Sequence, residues 1–301
     1  MSTPSDAAHD SRLPVQRTCK LYIGGKFPRT ESGRSYSPAP AGTPLGNICQ
    51  ASRKDFRNAV VAARKAASGW SARTPYNRGQ ILYRIAEMLE GRRQPLIEEA
   101  QWQGLATEAA VAQTHAAIDC LIHYAGWCDK FQQVFSTVNP VSSPHYNFST
   151  LEPVGVVGLL AATDSPLLGL VSLLAPILAG GNTVVVLASE TMPLSAITLG
   201  EVLDTSDVPP GVVNILTGLR SELAEQFASH MDVNSLAVDG GEPDLLRELE
   251  ILATDNMKRM RTYAVDWSDP DTRSPYLIED FCELKTTWHP IEQIGPGGSA
   301  Y

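Results

Sequence analysis

The sequence predicts an α/β protein built on a parallel, doubly wound sheet with helices packed against it. Three observations carry the prediction. From Glu152 onward, short apolar runs alternate with helix-length segments at the spacing of strand–helix units. The runs Val154–Ala161 and Thr183–Leu187 are almost wholly apolar, as strands covered on both faces are. Hydrophobic residues make up 43% and charged residues 19% of the 301, which is globular composition and rules out wholesale disorder. A chain of this length forms one large unit or two compact ones, and buries enough surface to fold without disulfides or metal.

The elements follow in order. The polar opening MSTPSDAAHDSR has no apolar segment, so residues 1–18 are expected to be a disordered tail. Cys19-Lys-Leu-Tyr-Ile-Gly-Gly-Lys-Phe27 reads as a short strand, a Gly-Gly hairpin turn and a return strand. Tyr36–Gly46, rich in Pro, Ala and Gly, is loop. Ser52 offers an N-cap with Asp55 three positions on, and Phe56, Val60, Ala63 and Ala67 follow at helical spacing until Gly69-Trp70. A second helix is expected from about Asn77 to Arg92, with Ile81, Ile85, Met88 and Leu89 on one face. A third precedes Gly104, and a fourth covers Thr107 to Lys130. Phe131–Leu151 changes to Val, Phe, Tyr and Thr among Asn, Pro and Ser, which suggests extended strands or a hairpin.

In the alternating part, strands are expected at Val154–Ala161, Thr183–Leu187, Val212–Leu216 and Ser235–Val238, with Met260–Val265 as one more. Helices are expected near Pro166–Ala179, Pro193–Leu203, Glu222–His230 and Asp244–Ala253. Asp266–Pro275 is turn-forming linker, and Tyr276–Pro290 includes a strand-like Phe281-Cys-Glu-Leu-Lys-Thr-Thr-Trp288. Residues 291–301 read as a second tail.

Several functions are excluded early. The net charge is −9, with a pI near 5.2, so no basic footprint for nucleic acid or anionic lipid is expected. Val154–Ala188 carries Asp164 as its only charge and is long enough to span a bilayer. Gly155, Gly158, Pro166, Pro176 and Gly180-Gly181-Asn182 break it into strand, helix and strand, so no membrane partner is expected. The cysteines at 19, 49, 120, 128 and 282 are odd in number and form no CxxC, which fits reduced packing thiols in a cytoplasmic protein. His115, Cys120, His123 and Cys128 fall in one helix, where Cys120 and His123 share a face but the other two sit well round it; no metal site is expected. GxSxG, GxxxxGK[ST] and GxGxxG are absent, and the glycine pairs at 155/158 and 240/241 are weak signals alone. Unaided, the residues stop at a soluble α/β protein with a nucleotide-type fold.

A longer pattern goes further. Glu152-Pro-Val-Gly-Val-Val-Gly158, Ser165-Pro-Leu-Leu168, Leu174-Ala-Pro-Ile-Leu-Ala-Gly-Gly-Asn-Thr-Val-Val-Val186, Glu190, Pro193-Leu-Ser-Ala196 and Pro209-Pro-Gly-Val-Val-Asn-Ile-Leu-Thr-Gly218 stand in the order and spacing of the cofactor-binding domain of the aldehyde dehydrogenase superfamily. Leu21-Tyr-Ile-Gly-Gly-Lys26, the Ala66–Trp70 helix end, Arg78–Leu89 and Tyr124-Ala-Gly-Trp-Cys-Asp-Lys130 look like its N-terminal region. The resemblance covers about residues 19 to 266. In particular, the chain resembles the non-catalytic second module of the family's two-module branch. It implies a Rossmann-like domain from 19–130 and 152–266, oligomerisation strands in 131–151 and 276–290, and a 267–275 linker in place of the catalytic domain.

Carried over position by position, the resemblance predicts lost chemistry. The oxyanion-stabilising asparagine falls at Asp164, whose carboxylate cannot donate an amide hydrogen bond; losing one such donor costs about 10²–10³ in rate. The lysine-proline that meets the adenosine ribose falls at Leu187-Ala188, and of that group Glu190 alone matches. The glycine-serine step at the pyrophosphate becomes Gly240-Gly241, and the glycine closing that turn becomes Leu245. The general-base glutamate falls near Tyr263, and the glycine-flanked catalytic cysteine has no counterpart. No catalytic residue is therefore expected, and Glu190 and Gly240 are left as weak, residual cofactor contacts. Plain structural roles stay open for both: a solvated helix-end carboxylate and a simple turn. No cofactor is expected beyond weak NAD binding.

Phe281, Cys282, Glu283, Leu284, Lys285, Thr286, Thr287 and Trp288 resemble the family's last strand, part of its oligomerisation element, and are the expected interface. An internal loss that removes chemistry but spares these strands favours a catalytically inactive subunit docking on an active aldehyde dehydrogenase, or self-associating. Two alternatives remain: a subunit that contributes to NAD-dependent aldehyde oxidation with a partner's cysteine, and a nucleotide-sensing module.

Overall fold

The computed structural model describes residues 17–291, so the expected tails at 1–18 and 291–301 lie outside the described residues except for residues 17, 18 and 291. The chain opens with a small sheet, ordered β1-β3-β2, of β1 (Thr18–Cys19), β2 (Ser35–Tyr36) and β3 (Asn47–Cys49). Thr18 pairs with Asn47, which corrects the tail boundary at residue 18: its backbone is already in a ladder. The expected hairpin is present in miniature, with Ile23 and Lys26 paired across Gly24 and Gly25 at φ of 59° and 71°.

Helices α1 (Arg53–Ser71), α2 (Pro75–Gly91), α3 (Arg93–Trp102) and α4 (Thr107–Trp127) follow. Ser52 and Asp55 form the capping box expected from their spacing. Burial raises the Asp55 carboxyl, but hydrogen bonds from Ser52, Thr30 and Glu31 outweigh it and hold the group below its ordinary value.

The next stretch departs from the expectation of a purely extended segment. It begins with a helical turn, α5 (Phe131–Phe135), before β4 (Thr137–Asn139) and β5 (His145–Pro153). Phe131 is buried as an anchor, and the turn aims Gln132 at the β5 backbone, where its amide donates to the Leu151 carbonyl at 2.6 Å.

The alternating part gives β6 (Val156–Leu160), α6 (Leu168–Ala179), β7 (Thr183–Leu187), α7 (Leu194–Asp204), β8 (Val213–Leu216), α8 (Arg220–Ser229), β9 (Ser235–Asp239), α9 (Pro243–Ala253) and β10 (Arg259–Tyr263). The five strands form one parallel sheet in the order β10-β9-β6-β7-β8. Every residue of β6 through β9 is buried, which explains their unbroken apolar character: helices cover both faces. One face carries α1, α8 and α9, with Phe56 against Phe227 at a ring separation of 4.4 Å. The other carries α2, α4, α6 and α7 through Ile85, Leu121, Leu174 and Val202. Buried Asn214 on β8 ties in the hairpin: its Oδ1 accepts from the Gly24 N–H at 2.9 Å.

The closing segment also differs from expectation. Tyr276–Glu279 is a helical turn, α10, and the strand proper is β11 (Cys282–Pro290). Pro275, at φ −63°, is already set for a helical turn, and the Ile278 N–H donates to its carbonyl at 2.9 Å. β11 pairs antiparallel with β5 along its length in a third sheet, ordered β11-β5-β4, with Leu284 opposite Leu151. Among the described residues no helix is long and apolar enough to cross a membrane.

Candidate functional site

Strand order reverses at β6: β7 and β8 extend the sheet on one side, β9 and β10 on the other. The crevice at the carboxyl ends of β6 and β9 is where ligands bind in sheets of this kind. Here it holds a cavity of about 470 Å³, lined by Asp164, Ser165, Asp239, Gly240, Asp266 and Trp267 among others. The fold therefore brings the expected Asp164 and Gly240 together. Asp164 comes from the loop between β6 and α6, and Gly240 follows β9 at φ 67°, its N–H donating to the Tyr263 carbonyl at 2.8 Å. Asp239 is buried, and the Trp267 indole N–H donates to its Oδ2 at 2.8 Å. Burial pushes the Asp239 carboxyl up to about 6; the Trp267 hydrogen bond and the Arg220 charge oppose the rise, and the Asp164 charge adds to it.

Glu190 does not line this cavity and is engaged at the start of α8. Its Oε2 accepts the backbone N–H of Arg220 at 3.0 Å, a carboxylate meeting the first turn of α8. Glu190 is thus a partly exposed carboxylate at a helix end, and the helix is not its own. The Arg220 side chain turns back over the strand ends. Its Nη2 donates to the Ala161 carbonyl at 2.6 Å, just past β6, and lies 3.4 Å from the Asp239 carbonyl at the end of β9. Burial pulls the guanidinium below the ordinary arginine value, while the Asp239 and Glu190 charges oppose that. Leu187 and Ala188, where the resemblance puts the ribose-binding lysine and proline, are buried and apolar. A dinucleotide laid across these strand ends meets the guanidinium, so the residues as placed do not fit that cofactor.

The remaining expected residues lie apart. Tyr263 ends β10, and its hydroxyl donates to Asp280 Oδ2 at 3.0 Å, away from a general base's task. Phe281 and Cys282 correct the interface expectation: both are buried in the chain's own core and fix β11 to the body. Glu283, Leu284, Lys285, Thr286 and Trp288 are exposed and Thr287 is partly so, all on the third sheet. The five cysteines are free and buried, and among the described residues no set of three His, Cys, Asp or Glu gathers to hold a metal.

Sequence reasoning missed Arg220, Asp239 and Trp267. Arg220 did carry a signal: a cation in the first turn of a helix has the wrong sign for the helix dipole and needs local compensation. Asp239 and Trp267 meet only through the fold.

Comparison with known proteins agrees with this architecture. Residues 28–262 match the model of the aldehyde dehydrogenase family. The chain is 31% identical over 282 residues to the cytosolic 10-formyltetrahydrofolate dehydrogenase of Xenopus tropicalis, covering 91% of this chain and 30% of that protein. It is 33% identical over 256 residues to retinal dehydrogenase 2 of Gallus gallus, covering 82% of this chain and 48% of that one. Among solved structures, the NAD+ complex of an aldehyde dehydrogenase from Bacillus cereus superposes with a TM-score of 0.78 at 26% identity, over 82% of this chain and 50% of the other. The chain thus spans half, or less, of the length of these relatives. With the parallel sheet, the helical N-terminal region and the family pattern coinciding over most of its residues, the chain belongs to the aldehyde dehydrogenase family.

Proposed function

We propose that this chain is a catalytically inactive aldehyde dehydrogenase-like subunit that assembles with an active NAD-dependent aldehyde dehydrogenase and stabilises or regulates it. The observation that carries the reading is β11: nine residues paired on one side only, with Leu284 62% and Trp288 56% exposed. An edge of that length and character is a template for another chain's strand. On this reading residues 19–130 and 152–266 are the cofactor-type body, 131–151 and 276–290 the assembly element, and 267–275 the link that replaces a catalytic domain. A second copy of the chain is the competing occupant of the same edge.

Inactivity is supported by the thiols. Desolvation pushes Cys120, Cys128 and Cys282 up to about 12, whereas a nucleophilic cysteine needs ready access to its thiolate. Asp164 stands where an amide donor is needed, and NAD binding is weak at most. Buried, reduced cysteines suit the cytoplasm.

Co-expression with an active aldehyde dehydrogenase tests the proposal. A stable complex is expected to copurify, with its stoichiometry read by size exclusion with mass measurement. Separate elution of the two proteins, or NAD-dependent oxidation of short aldehydes by the isolated, dialysed chain, overturns it. Asp164→Asn restores the missing donor and should still leave that isolated chain without activity.

A further inference from the structure

We propose that Arg220 is a built-in occupant of the nucleotide crevice, a side chain that holds the place of a dinucleotide until it is displaced. Its position makes the case. Ala161 and Asp239, whose carbonyls it contacts at 2.6 and 3.4 Å, close the two adjacent strands between which the sheet order reverses. The guanidinium therefore lies across the carboxyl ends of these two strands, the place where ligands bind in sheets of this kind.

Its attachments strengthen the argument. The first turn of α8 would favour an anion, and the anion it receives is Glu190 from the same chain, on the Arg220 N–H at 3.0 Å. Glu190 is the carboxylate that the family resemblance assigns to the ribose. One residue thus blocks the strand ends with its side chain and engages that carboxylate with its backbone. Gly241 borders the arrangement: a Cβ there would crowd Leu246 Cδ2 at 3.1 Å and meet Arg220 Nη1 at an ordinary contact distance of 3.9 Å. The Gly240-Gly241 step, where a polar side chain would otherwise stand, leaves space that the guanidinium borders.

The inference rests on reading the crevice as a degenerate cofactor site and is independent of what pairs with β11. For a ligand to enter, charge-assisted hydrogen bonds must be given up, which weakens apparent affinity by about tenfold or more. Titration calorimetry of NAD into the full chain tests it. Arg220→Gly is expected to bind NAD at least about tenfold more tightly than the wild type. Arg220→Gln, which shortens the side chain and removes its charge, is expected to move the same way and serves if the glycine variant fails its thermal melt. Equally weak binding by wild type and a folded variant overturns the role of Arg220 while leaving the degenerate site intact. Tight binding by the wild type itself overturns both.

Discussion

Asp239 shows what a single residue can decide here. Its side chain is buried at the end of β9 with its carboxyl pushed up to about 6, against about 3.9 for a free aspartate. An acid whose folded pKa is raised holds its proton more tightly in the folded state. Its favourable contribution is therefore complete below about pH 4 and is lost as pH rises towards about 6. Asp239→Asn lacks that term while its amide oxygen can still accept from Trp267. Denaturant unfolding should show the variant gaining about 2 kcal/mol relative to wild type between roughly pH 4.5 and pH 7. A difference that stays constant across that range would show that the carboxyl titrates like an exposed one. None of this was legible locally, because Val238-Asp-Gly-Gly241 reads as a strand end and a turn. The environment is supplied by Trp267, 28 positions away.

At the scale of the element, β11 belongs to the sequence pattern and its surroundings to the structure. The strand-like Phe281–Trp288 was readable from its composition, and the pairing partner β5 overlaps the segment read as extended, running two residues past its end at Leu151. What the pattern could not give was the division of labour along the strand, since Phe281 and Cys282 are internal and the rest is surface. The third sheet also carries a polar row. Asn139 donates to Asn147 and Ser149, and the Ser149 and Thr286 hydroxyls lie 2.9 Å apart, which pins the register of β4, β5 and β11. Leu284, one of the expected interface residues, is exposed in the single chain. Leu284→Asp should accordingly change the stability of the isolated chain by about 1 kcal/mol or less. The same substitution should abolish assembly, measured as loss of the complex mass in size exclusion. An intact complex would place the interface elsewhere.

Across the whole molecule, the closing segment is part of the main core. Ile278, Phe281 and Cys282 join the cluster that contains α4 and α6, the Tyr124 hydroxyl donates to the Ser274 carbonyl at 3.0 Å, and Asn182 donates to the Phe281 carbonyl at 2.9 Å. Arg261 and Asp280 add an ion pair at 3.1 Å between β10 and the last turn before β11. Phe281→Ala should therefore lower global stability by about 3–5 kcal/mol in one cooperative transition. A separate early transition, seen by circular dichroism during thermal unfolding, would mean that the segment folds apart from the sheet. The sequence by itself determined the alternation of strands and helices, the two-sided burial of β6 to β9, the capping box of α1 and the family. Each depends on residues close together or on a pattern repeated along the chain. Only the tertiary structure decided that Glu190 is taken up by Arg220, that Arg220 reaches Ala161 across 59 positions, and that Asp239 is desolvated beside Trp267. Hydrophobic periodicity specifies which face of an element is buried. It carries no information about which distant polar groups will meet once the faces close, and in this chain those meetings lie at the carboxyl ends of β6 and β9.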